Sequence, residues 1–244
     1  MNFDLHTHTT YSDGKADVEM MVFCAEALEL SAFAITDHLN EGKPTDWIDE
    51  MVERVKRARA GRGFPVLCGV EAEIIDESGG TTLMEEVRSK LDIALAHWSG
   101  KGLPWTSDKT EIIEHFVECM VNICSNPLVD VIAHPFNIGR APAEIALDDI
   151  STEDYRRIAR AFRDGGKYFE VMNNMWWWFP DTKPSLFREQ YLRIVRIFAS
   201  EGVKFSIGSD AHSVGGAGNI AWSQRLLRDA GVGEEQLIDP ASFL

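Results

Sequence analysis

His6 and His8 stand two residues apart near the start of the chain. The same spacing recurs as Glu71 and Glu73 in Gly69-Val70-Glu71-Ala72-Glu73 and as Asp210 and His212 in Gly208-Ser209-Asp210-Ala211-His212. On a β-strand, side chains two apart project to the same face, so each pair converges wherever its segment is extended. His38, His97 and His134 each close an apolar, strand-like run. Imidazoles and carboxylates gathered at one place call for cations, because burying them unpaired leaves desolvation on the order of several kcal/mol uncompensated. A ligand set of nitrogen and oxygen without thiolate suits zinc, manganese or iron rather than calcium. These candidates outnumber what one ion with an open position uses, so two or three divalent ions are expected, with Glu71 as the bridging carboxylate. Adjacent ions lower the pKa of a shared water toward neutrality and clamp both the attacked group and its leaving oxygen, which is hydrolytic chemistry. His115 falls inside a helical pattern and is assigned to the hydrogen-bonded core, and Glu73 either orients a ligand or faces solvent.

The elements that must position these residues follow from hydrophobic periodicity. Strand patterns cover residues 2–5, 32–36, 65–74, 91–96, 129–133, 167–172 and 204–207, and helical patterns cover 18–28, 46–60, 109–125, 152–164, 185–201 and 224–230. Such alternation implies strand–helix–strand units around a parallel sheet. Seven strands in one domain of this length suit a closed barrel better than an open sheet. No Gly-x-Gly-x-x-Gly follows the first strand, which lowers the dinucleotide-binding version. Long loops at 76–85, 98–108, 137–149, 174–184 and 212–221 each follow a strand, and in a parallel barrel these loops share one end, where active sites are built. With no internal repeat, low-complexity tract or linker, one domain over residues 1–244 is expected.

Composition narrows the function. The chain has 244 residues, 45% hydrophobic and 26% charged, enough for a sizeable core. Its net charge of -15 offers no basic field for bulk nucleic-acid binding, so an anionic substrate must be drawn by a local cluster of positive charge. Cys24, Cys68, Cys119 and Cys124 lie in apolar stretches without framework spacing and read as reduced thiols, which points to the cytoplasm. No basic leader or membrane-spanning apolar run is found, so neither secretion nor membrane insertion is expected.

The segments His6-Thr7-His8-Thr9-Thr10-Tyr11-Ser12-Asp13-Gly14, Ile35-Thr36-Asp37-His38, Gly69 to Glu73, Ala133-His134-Pro135 and Gly208 to His212 occur in an order that resembles the polymerase and histidinol phosphatase (PHP) family of metal-dependent hydrolases. The resemblance implies a distorted, TIM-like (β/α)7 barrel with a di- or trinuclear site at the C-terminal mouth of its strands. It implies that His6, His8, Glu71 and Asp210 hold a first metal. Glu71, His97 and His134 would hold a second, and Asp13, His38 and His212 a third. The implied activity is hydrolysis of a small phosphoester, such as a nucleotide or histidinol phosphate, by a metal-bridging hydroxide that attacks phosphorus in line. The sequence does not assign the leaving-group acid; a metal-bound water and Asp210 are the two candidates.

Arg140, just beyond His134-Pro135-Phe136-Asn137-Ile138-Gly139, is read as a guanidinium gripping the phosphate, with a solvated loop charge as the alternative. Lys101 and Lys183 are weaker candidates for the same task. Trp176-Trp177-Trp178, with Trp98 and Trp105, could form a stacking wall for a planar group; packing beneath a loop or at a subunit interface is the alternative. Gly215-Gly216-Ala217-Gly218 could offer backbone N–H groups to a phosphate or be a simple connection. Two other functions compete: an amidohydrolase-like enzyme on the same metal platform, and a metal-holding regulatory module without turnover.

Overall fold

A computed structural model describes residues 1–103 and 106–244. Its strands are β1 (Phe3–Asp4), β2 (Ala32–Leu39), β3 (Val66–Ile74), β4 (Ile93–Trp98), β5 (Val131–Ile132), β6 (Tyr168–Met172) and β7 (Lys204–Gly208). They form one seven-stranded parallel sheet in chain order. The sheet curls until its edges meet: Leu5 N donates to Ile207 O at 3.0 Å, Asp210 N to His6 O at 2.9 Å and His8 N to Ala211 O at 2.8 Å. The fold is therefore the expected α/β barrel. Strands such as β2 (AFAITDHL) are buried along nearly their whole length, as expected when helices cover the outside of a parallel sheet.

The helices are α1 (Val18–Ala27), α2 (Ile48–Arg59), α3 (Glu85–Arg88), α4 (Lys109–Asn122), α5 (Thr152–Asp164), α6 (Pro184–Ser200) and α7 (Ala221–Ala230). Their starts carry local signals. Asp17, Asp108 and Ser151 accept backbone N–H bonds at the heads of α1, α4 and α5, and Pro184 opens α6. Between sheet and helices, Phe136, Phe162, Phe169 and Phe198 pack ring on ring, with Phe169 and Phe198 centroids 4.7 Å apart. All four are fully buried, and each contributes about 1.5–3 kcal/mol relative to exposure.

Where elements differ from the periodicity, the cause is local. β2 and β4 run on to include His38 and His97, polar residues that the apolar pattern leaves out. β5 keeps only two residues: before it Val129 N closes a turn on Asn126 O, and after it the backbone turns left-handed at His134 (φ 30°) and again at Phe136 (φ 72°). α7 starts three residues early, at Ala221, where Trp222 N finds Asn173 Oδ1 at 2.9 Å. The short α3 begins at Glu85, the last residue of the expected loop 76–85, where the periodicity gives no helix.

Candidate metal centre

The barrel delivers the candidate ligands to one end. His6 and His8 follow β1, His38, Glu71 and His97 lie on β2, β3 and β4, His134 follows β5, and Asp210 and His212 follow β7. Register matters as much as topology: His38 pairs with Glu71 across β2 and β3, and Glu73 pairs with His97 across β3 and β4. Side chains from distant segments therefore meet. His6 Nε2 is 3.4 Å and His8 Nε2 is 3.7 Å from Glu71 Oε2, and the same nitrogens lie 3.7 and 3.1 Å from Asp210 Oδ1. On the other side of the Glu71 carboxylate, Oε1 has His134 Nε2 at 2.9 Å and His97 Nδ1 at 3.0 Å. Asp13 Oδ1 lies 3.6 Å from His38 Nε2 and 3.2 Å from His212 Nε2. Glu71, His6 and His8 are fully buried at the floor, while Asp13 is 60% exposed at the rim.

The donor atoms form groups whose members lie within 4.8 Å of one another: His8, Asp13, His38 and His212; His6, His8 and Glu71; His38, Glu71 and His97. Many find no hydrogen-bond partner despite burial. Among the described residues these orphans include His6 Nε2, His38 Nδ1, His97 Nδ1 and Glu71 Oε2. His38 Nδ1 approaches Glu71 Oε2 to 2.7 Å yet outside hydrogen-bond geometry, so these lone pairs crowd a shared space instead of bonding one another. An unsatisfied buried polar group costs about 1–3 kcal/mol, and several together are tolerated where a cation meets them. The residues thus fit divalent ions, and the imidazole and carboxylate donors suit zinc, manganese or iron.

Electrostatics agrees. Burial alone would raise the Glu71 pKa, but the imidazoles of His97, His6, His134 and His38 hold it well below the carboxylate range. Burial would depress His6 and His38, yet the carboxylates of Glu170 and Glu71 lift His6 well above its ordinary value, and Glu71 and Asp13 bring His38 to about 8. His8 is lowered, by burial first and then by the neighbouring His6 and His38.

Positioning residues that the spacing did not flag surround the floor. Glu170, buried on β6, places Oε1 2.8 Å from His6 Nδ1 and accepts from His134 N through Oε2 at 2.6 Å. It thereby orients His6 so that Nε2 faces Glu71, and it stabilises the left-handed turn at His134. Gly208 makes room for it, since a Cβ there would stand 2.0 Å from Glu170 Oε1 and 2.5 Å from His6 Cβ. Asp37 accepts from the backbone N–H groups and the hydroxyls of both Thr9 and Ser12, which fixes the loop carrying Asp13. Asp4 does the same for the β7 loop through Ser209 and Gly218. Glu170 is a lone acid in an apolar strand, the one signal that could have marked it.

The remaining candidates separate. Arg140 lies in the turn after β5, donates to Trp177 O at 3.0 Å and rests 3.3 Å above the Trp177 ring. Lys101 is held by Glu73 at 2.6 Å and Glu41 at 3.1 Å, and Lys183 is exposed at the head of α6. The three tryptophans diverge: Trp176 packs on Trp222, Trp177 is exposed under Arg140, and Trp178 lies 5.4 Å from the His134 ring. Trp105 lies outside the described residues. Gly218 N already donates to Asp4, and His115, on α4, has Cys119 Sγ at 3.4 Å, away from the cluster.

Known proteins resemble this chain in sequence and, separately, in fold. The PHP domain family pattern matches residues 4–174. A protein named "Probable phosphatase" from Acetivibrio thermocellus is 30% identical over 93% of this chain and 86% of its own length. One of the same description from Caldanaerobacter subterraneus is 30% identical over 97% and 86%. Among solved structures, the histidinol phosphate phosphatase of Lactococcus lactis, complexed with zinc, L-histidinol and phosphate, superposes with a TM-score of 0.72 at 17% identity, covering 95% of this chain and 94% of that one. A barrel closed in chain order, with its histidines and carboxylates gathered at the strand ends, thus comes with a family pattern over most of its length: the chain belongs to the PHP domain family.

Proposed function

We propose that this chain is a metal-dependent hydrolase of small phosphoesters. The observation that carries the proposal is the ring of imidazoles around the buried Glu71 carboxylate at the barrel mouth. His6, His8, Glu71 and Asp210 would hold one ion, Glu71, His97 and His134 a second, and Asp13, His38 and His212 a third. Zinc is favoured by the nitrogen-rich donors and by its presence in the Lactococcus lactis enzyme. Ions so held supply Lewis acidity, drawing a nucleophile from water at neutral pH and offsetting charge on the phosphoryl oxygens.

The protein's own residues do the rest. Glu71 would be shared by two of the sites, Asp210 would serve as a carboxylate ligand beside His6 and His8, and Glu170 holds the Nδ1 edge of His6 so that its Nε2 faces Glu71. Arg140, which rests on Trp177 beside the cluster, would grip a non-bridging phosphate oxygen. Residues 1–244 act as one barrel domain, supported by the single sheet and the continuous core. Among the described residues no helix is long and apolar enough to cross a membrane, and the four cysteines are free, which suits a reducing cytoplasm.

Phosphomonoester, phosphodiester and amide substrates tested on metal-reconstituted protein, with metal counted per chain, decide the matter. Phosphate release that depends on metal is the expected result. Turnover of amides alone, or bound metal with no hydrolysis, would reject the proposal.

A further inference from the structure

Two cavities flank the ligand cluster, and they differ in character. One, of about 440 Å3, starts at His97 and runs between Trp98, Leu103, Pro142 and Trp178, with Arg140 at its lip. The other, of about 430 Å3, holds Tyr11, Asp13, His38, Lys43, Asp46 and Trp47. We propose that the alcohol portion of the phosphoester lies in the first cavity, and that its aromatic walls select planar, aromatic leaving groups. This rests on the phosphoester reading above.

Both volumes suit a small molecule, so size does not decide. Charge does. Among the described residues no carboxylate lines the first cavity, whereas Asp13 and Asp46 face a single lysine in the second. In a chain of net charge -15, a phosphate ester enters more readily on the side where a guanidinium stands and no acid does.

The aromatic surfaces point the same way. Tyr11 and Trp47 are already engaged: they stack on each other with centroids 5.7 Å apart, and Arg54 lies over the Tyr11 ring. Trp178 instead combines a cavity wall with contact to the metal centre. Its ring lies 5.4 Å from His134 at a tilt of 34°, and Trp177 abuts it edge-on at 4.9 Å. Gly139 lets the two loops close up, since a Cβ there would meet Trp178 O at 2.5 Å. A ring stacked on this wall therefore starts one side chain away from where phosphorus must sit. Because the wall is wedged in place, little ordering is needed on binding.

The test compares benzyl phosphate with butyl phosphate, esters of similarly basic alcohols, on the metal-loaded full chain. A preference in kcat/KM of roughly tenfold for benzyl phosphate, expressed mainly in KM, is expected. Trp178→Leu should abolish that preference, while Trp47→Ala on the opposite flank should leave it intact. Where Trp178→Leu loses metal through its contact with His134, Ala141→Phe decides. Filling the cavity from Ala141, which lines it outside the candidate ligand set, should raise KM for benzyl phosphate and leave metal content unchanged. Equal kcat/KM for the two esters would overturn the inference while leaving the phosphoesterase intact, as would a preference that Trp47→Ala abolishes or that Ala141→Phe leaves untouched. Hydrolysis of neither ester would remove the underlying phosphoester reading.

Discussion

At the scale of single residues, charge and orientation at the barrel floor depend on Glu170 as much as on the ligands. It neutralises the imidazole edge that the cluster does not use and anchors the backbone N–H of His134, so its replacement should loosen two ligands together. Glu170→Gln is expected to weaken metal affinity about ten- to hundredfold in a chelator-competition titration, and unchanged affinity would deny it this role. Arg140 acts later. Arg140→Ala should raise KM for phosphate esters with kcat largely kept, as for a group that binds ground and transition states alike; kinetics identical to the parent would return Arg140 to a solvated charge resting on Trp177.

At the scale of elements, the loops that carry ligands are tied down by buried carboxylates outside the ligand set. Asp37→Ala removes four hydrogen bonds at once from the segment between His8 and Asp13. It should cost about 2–4 kcal/mol in denaturant unfolding and weaken the rim site of Asp13, His38 and His212 before the floor site. Unaltered stability would show that solvent replaces those bonds. These ties also explain what could be read from the sequence. The strand and helix order was legible because parallel strands buried on both faces leave continuous apolar runs, and the pair His6/His8 because extended backbone around Thr7 makes them neighbours. Asp210 and His212 instead lie past β7, with Asp210 in the left-handed region (φ 56°), so the loop and not strand spacing brings them to the site. Glu170, Asp4 and Asp37 were not legible as supports, since their partners come from other strands and only the closed barrel brings them together. Glu73 shows the limit from the other side: it shares the spacing of a ligand pair with Glu71, but its carboxylate goes to Lys101 and the Glu41 backbone.

At the scale of the whole molecule, a chain carrying net charge -15 gathers its candidate metal ligands, among the described residues, at one end of the barrel, where protons and metals would compete for them. The raised pKa values of His6, His38 and His134 mean that metal uptake near neutrality releases protons, so affinity should fall as pH is lowered; calorimetry in buffers of different ionisation enthalpy reads this directly. The metal-free chain should behave oppositely in stability. A folded pKa of about 8 for His38, above its ordinary 6.5, gives stability that is fully present below 6.5 and lost as pH rises through 8, when the imidazolium facing Glu71 disappears. Thermal unfolding of the metal-free chain should therefore move to lower temperature over that window, and a flat profile would contradict the coupling. The central claim, that ions share the Glu71 carboxylate, is tested most directly by anomalous diffraction at the zinc edge from zinc-loaded crystals. Peaks on both sides of Glu71, at about 2.0–2.2 Å from its oxygens and from His6, His97 or His134, are the predicted result. A map with no anomalous peak in that ring of imidazoles, or a single ion that leaves Glu71 untouched, would contradict it.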